Sequence, residues 1–323
     1  MPLPKQKMSK SSMKEAEKGN CMSLITIFIT PKGFDRDHIA LIQRNAIKSW
    51  KALGEDVDIL LIGDDPGVEE NAEKLGVRHI RDVKRNSSGT PMLDDIFRIA
   101  RENSDSPLLA YVNADIILKR DFVETSRKIL EQEKEFLLVG QRWDLDVRRD
   151  LDFSEGWESE FDKDLAARGR RHPAGGSDYF VYPREIFKEI PPFAIGRSGW
   201  DNWMFYEARV KGWKLINCSG AINIIHQDHD YAHLPNGLPH YRQPESDENV
   251  KAAGGKRTIF TLLDCNYEAD ESCEIKKVPL TKKKLLREME IFPLVTLKSM
   301  ALGNASFALF HPKKAYIEFR NRR

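Results

Sequence analysis

Three short segments of the sequence carry carboxylates or imidazoles at places where a fold could use them for chemistry. The first is Asn113-Ala114-Asp115, which directly follows the apolar run Leu108 to Val112. A carboxylate just beyond a buried strand can hold Mg²⁺ or Mn²⁺, because these cations accept oxygen ligands. The same triplet also occurs as ordinary turn chemistry, so by itself it leaves both interpretations open.

The second segment runs from His226 to His233 and supplies three imidazoles and two carboxylates within eight residues. Such a tract is either a polar surface loop or a cluster of metal ligands. The run Ala221 to Ile225 is typical of a strand, and it delivers His226 at its end. Because a regular element fixes a side chain better than a loop does, His226 is the best candidate for a metal ligand.

The third segment is Ser198 to Trp203, in which Asp201 stands between Trp200 and Trp203 at the start of an expected helix. An aspartate there can simply cap the helix, and the indoles can belong to the core. Alternatively, a carboxylate flanked by indoles can accept the proton of a sugar hydroxyl while the rings line a carbohydrate site. Taken alone, Asp201 is explained by capping.

The elements that position these segments alternate between strand and helix. Apolar runs predict strands at 23–30, 57–62, 77–80, 108–112, 136–140, 178–182, 213–217 and 221–225, and periodic segments predict helices at 37–53, 68–75, 92–103, 121–131, 184–190 and 199–212. This alternation is typical of an α/β fold, Rossmann-like, with a mostly parallel central sheet and helices on both faces. Ligands of such sheets bind beyond the carboxyl ends of the strands, which places Thr30, Asp64 and Asp65 on the functional edge.

The composition predicts three parts of the chain. We expect a loose N-terminal tail over 1–20, a main domain over 21–257 and a basic C-terminal appendage over 258–323. The polar stretch 227–257 is typical of a loop that acts as a lid. Between 276 and 323, 12 Lys and Arg stand against 3 acidic residues with apolar residues between them, which predicts two amphipathic helices.

Charge and cysteine content exclude several classes of function. With 51 basic and 50 acidic residues, the chain has no overall field that would recruit nucleic acid. The four cysteines lack CxxC spacing, which argues against a zinc ribbon or a dithiol redox site.

No apolar run approaches the ~20 residues of a spanning helix. We expect a cytoplasmic protein whose basic C-terminus is a candidate for peripheral contact with a membrane.

Taken together, the order of these parts resembles that of GT-A glycosyltransferases. The resemblance covers Leu24 to about His233 and is closest to a little-characterised group of them. Its hallmarks stand in this sequence as Arg44-Asn-Ala-Ile-Lys-Ser-Trp50, Gly89-Thr-Pro91, Tyr111-Val-Asn-Ala-Asp-Ile-Ile117, Trp200-Asp-Asn-Trp203 and His226-Gln-Asp-His-Asp-Tyr231. The resemblance implies a GT-A fold whose nucleotide-binding half is 21–118 and whose acceptor half, with the lid loop, is 119–257.

The resemblance also implies roles for individual residues. Asn113 and Asp115 match the DxD-type element, and His226 matches the late histidine that holds Mn²⁺ or Mg²⁺ with it. Asp201 matches the acidic residue at a helix start that contacts the acceptor. This sequence departs from the pattern at Asn113, where the first acid of the element is missing, so Asn113 is a candidate for an outer or sugar-binding role.

The expected reaction moves a sugar from a nucleotide diphosphate sugar to an acceptor hydroxyl, with the cation on Asp115 and His226 neutralising the diphosphate. The expected donor-binding residues are Thr30, Asp64, Asp65, Gly89, Thr90, Asn113 and Asp115, and the expected acceptor-binding residues are Asp178, Tyr179 and Trp200. Asp201 is the candidate base if the reaction inverts the anomeric centre. If the reaction retains configuration, Asp201 orients the acceptor instead.

Two alternatives remain on the sequence alone. A nucleotidyltransferase shares this sheet architecture but normally has a glycine-rich, basic phosphate loop after its first strand, whereas Thr30 to Asp35 holds one glycine and one lysine. A noncatalytic carbohydrate-binding or nucleotide-binding module could instead use the His/Asp tract for a structural ion. Hydrolysis of a nucleotide sugar that depends on Mn²⁺ would distinguish an enzyme from such a module.

Overall fold

The computed structural model of the protein describes residues 22–229 and 243–320. The strands are β1 (Ile25–Ile29), β2 (Val57–Ile62), β3 (Arg78–Ile80), β4 (Leu108–Val112), β5 (Ile116–Ile117), β6 (Phe136–Val139), β7 (Arg142–Leu145), β8 (Arg170–Arg171), β9 (Tyr179–Pro183), β10 (Lys214–Asn217), β11 (Ile224–Gln227), β12 (Tyr267–Ala269) and β13 (Ile275–Lys277). The α-helices are α1 (Asp37–Lys51), α2 (Val68–Leu75), α3 (Leu93–Glu102), α4 (Arg120–Gln132), α5 (Trp157–Arg168), α6 (Trp200–Lys211), α7 (Pro244–Ala252), α8 (Lys282–Val295), α9 (Met300–Phe310) and α10 (Pro312–Arg320).

A nine-stranded central sheet organises the molecule, in the order β3-β2-β1-β4-β9-β6-β10-β12-β13. Strand β9 runs antiparallel to both β4 and β6, and β13 runs antiparallel to β12 at the edge. All other neighbouring strands of this sheet are parallel. The predicted fold class, α/β with a mostly parallel central sheet and C-terminal helices, is confirmed.

The central strands are continuous apolar runs because helices cover both faces of the sheet. Every residue of β1, β4, β6 and β9 is buried. A parallel sheet exposed to water on one face would instead alternate apolar and polar residues. Helix α1 contributes Ile39, Ile42, Ala46 and Trp50 to this core, the four positions that its period predicts.

A second, four-stranded sheet in the order β5-β11-β7-β8 sits beside the central one and carries the site. Strand β11 runs antiparallel to β5 and parallel to β7, so that His226 is opposite Ile116 on one side and Asp144 on the other. Asp115 immediately precedes β5. The register of this small sheet therefore brings Asp115, Asp144 and His226 together.

The helix predicted at 184–190 is wrong. The chain makes a turn there, with Phe187 at φ 50°. The guanidinium of Arg101, on α3, donates to the carbonyls of Arg184, Ile186 and Phe187 at 3.1, 2.9 and 2.7 Å. These bonds to a distant side chain satisfy the carbonyls and stabilise the turn in place of a helix.

The strand that carries His226 is shifted from its predicted place. It spans Ile224–Gln227 rather than 221–225, so His226 lies inside the strand instead of after it. The stretch 142–170, which the sequence left without elements, contains β7, α5 and the start of β8.

The C-terminal region differs from its prediction in two ways. Strands β12 and β13 extend the central sheet, and three helices follow instead of two. Helix α7 lies within the predicted lid loop, while residues 230–242 of that loop and the tail 1–20 fall outside the described residues. The domain limits stay a prediction. Among the described residues, no helix has the length and apolar character needed to cross a membrane.

Trp50 links helix α1 to the turn that holds Asp115, because its indole N–H donates to the Ile116 carbonyl at 2.9 Å in a fully buried position. We expect Trp50→Phe to lower the free energy of unfolding by about 1–3 kcal/mol, since a buried carbonyl loses its donor. Urea denaturation measures this change. Trp213→Phe, at a partly buried indole that packs edge-on against Phe187, is the matched control and should cost less. Equal stability of Trp50→Phe and the wild type would contradict the link.

Candidate active site

A cavity of about 970 Å³ opens beyond the carboxyl ends of β1, β2 and β4 and gathers most of the predicted residues. This is the edge where parallel α/β sheets bind ligands. The predicted residues that line it are Thr30, Asp65, Gly89, Thr90, Asn113, Asp115, Asp178, Trp200, Asp201 and His226.

Two predicted residues lie outside this lining. Tyr179 is 0% exposed and packs edge-on against Phe122 in the core, so its assignment as an acceptor contact is corrected to a structural one. Asp64 points outward and pairs with Arg85 at 2.6 Å. Arg85 also holds Asp65 at 3.0 Å and itself lines the cavity. Asp64 is therefore connected to the cavity lining through Arg85.

Asp115 is the centre of a group of metal-ligating side chains. Its Oδ2 lies 3.0 Å from Nε2 of His229 and 3.9 Å from Nε2 of His226. The three residues offer ligand atoms that all lie within 4.8 Å of one another. The backbone N–H of Gln227 and its side-chain amide both donate to the Asp115 carbonyl at 3.1 Å, which fixes the turn relative to β11.

The charges in this group are coupled. Burial raises the pKa of Asp115, but the charge of His226 and a hydrogen bond from His229 outweigh it and hold that pKa below its usual range. Burial lowers the pKa of His226, but the charge of Asp115 and contacts with Asp144 and Asp228 raise it to about 9. Without a cation, His226 is therefore protonated at neutral pH. A metal ion that binds the imidazole displaces this proton.

A chain of polar contacts joins the two sides of the cavity. The Asn113 amide donates to Asp178 at 2.8 Å, and Arg142 donates to both oxygens of Asp178 at 2.9 Å. Arg142 also donates to Asp144 at 2.8 Å, and Asp144 lies 3.4 Å from Nδ1 of His226, outside hydrogen-bond geometry. The side chain of Asn113 is thus tied to Asp178.

The donor atoms present fit a divalent cation. Asp115 Oδ1 is buried and makes no hydrogen bond within the described parts of the chain. Unsatisfied buried groups of this kind cost about 1–3 kcal/mol each, and functional sites are where such costs persist. One carboxylate and two imidazoles are a mixed donor set. Imidazole suits transition metals, whereas Mg²⁺ prefers oxygen, so the set favours a transition-metal cation over Mg²⁺.

Asp201 lies in the first turn of α6, and it does not cap the helix. Gly199 occupies the cap position at φ 107°, and no side chain caps this end. Burial raises the pKa of Asp201, backbone hydrogen bonds from Asn202 and Gly199 oppose this, and the charge of Asp178 adds to it, so that the pKa is about 6. A carboxyl with such a pKa exchanges protons easily near neutral pH.

The surroundings of Asp201 leave it open to the cavity on one side. Its Oδ1 is buried and makes no hydrogen bond to any described residue. A Cβ on Gly176 would lie 2.9 Å from its Oδ2, so a larger residue there would displace the Asp201 carboxylate. Trp200 is 7% exposed and packs edge-on against Tyr111 at 4.9 Å, and both aromatic rings line the cavity.

The sequence analysis missed several residues of the site. Asp144 and Arg142 lie on β7, in a charged stretch where no element was expected. Lys32 and Arg85 line the cavity from the loops after β1 and β3. His229 stood within the noted tract, and its spacing of three residues from His226 was the one signal that could have singled it out.

No protein-family model matches the chain, and no curated protein matches it in sequence. Solved structures do match in shape. One is a mannosyltransferase from Pyrobaculum calidifontis in complex with GDP-Man and Mn²⁺, at 10% identity and a TM-score of 0.42, covering 69% of this chain and 64% of that chain, which is less than two thirds of it.

Another similar structure is the glucosyl-3-phosphoglycerate synthase of Mycobacterium tuberculosis, at 14% identity and a TM-score of 0.45, covering 77% of this chain and 86% of that chain. The same enzyme with Mn²⁺, UDP and glucosyl-3-phosphoglycerate matches at 12% identity and a TM-score of 0.41, covering 79% of this chain and 87% of that chain. These are similarities of overall shape at low sequence identity.

The raised pKa of His226 predicts how the stability of the metal-free protein depends on pH. The folded pKa of about 9 lies above the ordinary 6.5, so the protonated form stabilises the fold. This contribution is complete below pH 6.5 and is lost as the pH rises to about 9, with an upper limit of about 3 kcal/mol.

Urea denaturation at several pH values, in the presence of a chelator, measures this dependence. We expect His226→Gln to lose less stability than the wild type between neutral pH and pH 9, while His79→Gln, outside the cavity lining, should follow the wild type. Parallel curves for the wild type and His226→Gln would show that His226 is not protonated beside Asp115.

Proposed function

We propose that the protein is a metal-dependent glycosyltransferase that moves a sugar from a nucleotide diphosphate sugar to an acceptor hydroxyl. The observation that carries the proposal is the convergence of Asp115, His226 and His229 at the ligand-binding edge of the sheet, in one cavity with the unsatisfied carboxyl of Asp201. A cation site and an acid-base group in one cavity suit a displacement in which a charged leaving group departs and a hydroxyl attacks.

Asp115, His226 and His229 are the proposed ligands of the cation, and the donor set favours a transition-metal cation over Mg²⁺. When bound, the ion supplies positive charge for the diphosphate leaving group. Asp144 lies against the far nitrogen of His226 and orients the ring, as partners of metal-bound histidines usually do. The amide nitrogen of Asn113 donates to Asp178, so Asn113 is proposed to position Asp178 beside the cation site.

The donor nucleotide is proposed to lie along the side of the cavity formed by Thr30, Asp65, Arg85, Gly89 and Thr90. The hydroxyl of Thr30 is buried without a hydrogen-bond partner among the described residues, so it is available to a ligand after a small adjustment. Arg85 fixes the loop over this side, since it bonds the Gly89 carbonyl at 2.7 Å as well as Asp65.

Lys32 supplies a further positive charge to the cavity. It keeps accessible surface there but is surrounded by protein, and this burial lowers its pKa while the charge of Asp115 raises it. A cation beside the metal ligands suits a diphosphate, whose charge it can partly neutralise. Lys32 and Arg85 are separate cations on different loops, unlike the single glycine-rich loop of a nucleotidyltransferase.

The acceptor is proposed to lie against Trp200 and Asp201, with Asp178 held rigid between Arg142 and Asn113. If the anomeric centre inverts, Asp201 takes the proton of the attacking hydroxyl. If configuration is retained, Asp201 only orients that hydroxyl. A noncatalytic module would have no need to keep the buried Oδ1 of Asp201 without a described partner in the same cavity as its ion site, which favours the enzyme.

Metal binding gives the first test. We expect Asp115→Asn, His226→Ala and His229→Ala each to weaken Mn²⁺ binding at least about 10-fold, because each removes a proposed ligand. Isothermal titration with Mn²⁺ and a nucleoside diphosphate measures the affinity without any turnover. His79→Ala is the matched control and should bind as the wild type does. Unchanged Mn²⁺ affinity in all three site variants would overturn the metal assignment.

A thermal-shift screen of nucleotide diphosphate sugars with Mn²⁺ identifies the donor, since a ligand of the native state raises the melting temperature. With that donor, we expect Asp201→Asn to keep Mn²⁺ and nucleotide affinity but to lower kcat by about 10²-fold or more if Asp201 is the base. The wild-type rate should then fall below pH 6, near the pKa of Asp201, and the variant should lack this fall.

The outcomes of this second test are distinct. Loss of nucleotide affinity in Asp201→Asn would mean that the residue belongs to the donor side. An unchanged kcat would exclude Asp201 as the base and leave the retaining alternative, in which it orients the acceptor. No stabilisation by any nucleotide diphosphate sugar, with or without Mn²⁺, would contradict the proposed function itself.

A further inference from the structure

The C-terminal helices expose an unusual amount of apolar surface. Of the 13 large hydrophobic side chains that are exposed in the described ranges, 11 lie between residues 280 and 319. They are Leu280, Leu285, Leu286, Met289, Phe292, Leu297, Leu302, Leu309, Tyr316, Ile317 and Phe319, with exposed fractions from 43% to 78%. We refer to these eleven side chains as the C-terminal apolar face. Concentrated exposed apolar surface of this kind marks an interaction site.

The helices that carry this face bury very little of themselves. In α9, which contains no charged residue, the one buried residue is Gly303, and α10 has no buried residue. Helix α8 anchors the group through Glu290, Ile291 and Leu294, and Arg257 adds polar contacts to Asn304 of α9 and Glu318 of α10. Short helices that bury so little are marginal in water, because helices in proteins gain most of their stability from packing. The face therefore requires a cover.

The charged side chains around the face leave an excess of positive charge. The glutamates of α8 and α10 are already paired: Glu288 with Arg209, Glu290 with Arg287 and His311, and Glu318 with Arg257. Six exposed basic residues make no ion pair with the described part of the chain, namely Lys282, Lys283, Lys298, Lys313, Lys314 and Arg320. The uncovered surface thus combines apolar side chains with uncompensated positive charge.

We propose that the C-terminal apolar face docks the protein on an anionic lipid surface. Apolar side chains enter the boundary between headgroups and acyl chains, while lysines pair with anionic headgroups. The helices lie on the surface and do not cross it, because even α8, with 14 residues, reaches only about 21 Å against a hydrocarbon core of about 30 Å. This proposal is independent of the proposed function.

Other occupants fit the charge less well. A second copy of the chain would bring two sets of uncompensated lysines together, and like charges repel. The N-terminal segment 1–21 is also basic, with five lysines against two glutamates, so it does not complement the face. An anionic bilayer supplies both the apolar phase and the negative charge.

Vesicle co-sedimentation of the full-length protein tests the proposal. We expect binding to phosphatidylcholine vesicles that contain phosphatidylserine, little binding to phosphatidylcholine alone, and release as ionic strength rises. Lys313→Gln/Lys314→Gln should lower the partition coefficient on the order of 10-fold. Leu309→Ser/Tyr316→Ser should lower it as well, because exposed apolar side chains are lost without changing the core.

Matched controls remove the same groups elsewhere. Lys128→Gln/Lys163→Gln removes two exposed lysines from α4 and α5, and Met22→Ser removes an apolar side chain that is 62% exposed. Both should bind vesicles as the wild type does, and thermal melting verifies that every variant folds.

Three results would overturn the proposal. The first is no binding of the folded wild type to vesicles with phosphatidylserine. The second is binding that the controls weaken as much as the C-terminal variants do. The third is a dimer in sedimentation equilibrium that Leu309→Ser/Tyr316→Ser dissociates, which would assign the face to a second copy of the chain.

Discussion

The geometry of the site depends on the two hydrogen bonds that Gln227 donates to the Asp115 carbonyl. Gln227 is fully buried, and its amide also donates to the Ile42 carbonyl at 2.8 Å and accepts from Asn45 at 3.1 Å. One side chain thus ties strand β11 to the turn after β4 and to helix α1. Because successive residues of a strand face opposite ways, Gln227 in the core leaves His226 and Asp228 facing the cavity.

This arrangement explains why the sequence predicted the fold well and the site only in part. Strands β1, β2 and β4 are local apolar runs, and α1 and α2 follow from their own periodicity and glycine ends. Asp115 and His226 could be chosen because apolar runs of the sequence end shortly before each of them. In contrast, Asp144 became recognisable only through the register between β7 and β11, which no local pattern specifies.

The wrong predictions also have long-range causes. The segment 184–190 has helical composition, but Arg101, more than 80 residues earlier, donates hydrogen bonds to three of its carbonyls. Tyr179 and Asp178 are neighbours in sequence, yet Asp178 lies before β9 and reaches the cavity, while Tyr179 begins the strand and faces the core. A sequence motif assigns the same role to both neighbours. Only the alternation of side chains along the strand shows that they point to different sides.

The bond between Asn113 and Asp178 has a consequence for how this site can change over evolutionary time. An aspartate at 113 would place two carboxylates in contact where an amide now donates at 2.8 Å, and Arg142 would have to serve both. A second acid at position 113 is therefore disfavoured unless residue 178 becomes a hydrogen-bond donor or a small residue. We expect the two positions to vary together among relatives, as a pair whose members constrain each other although 65 residues separate them along the chain.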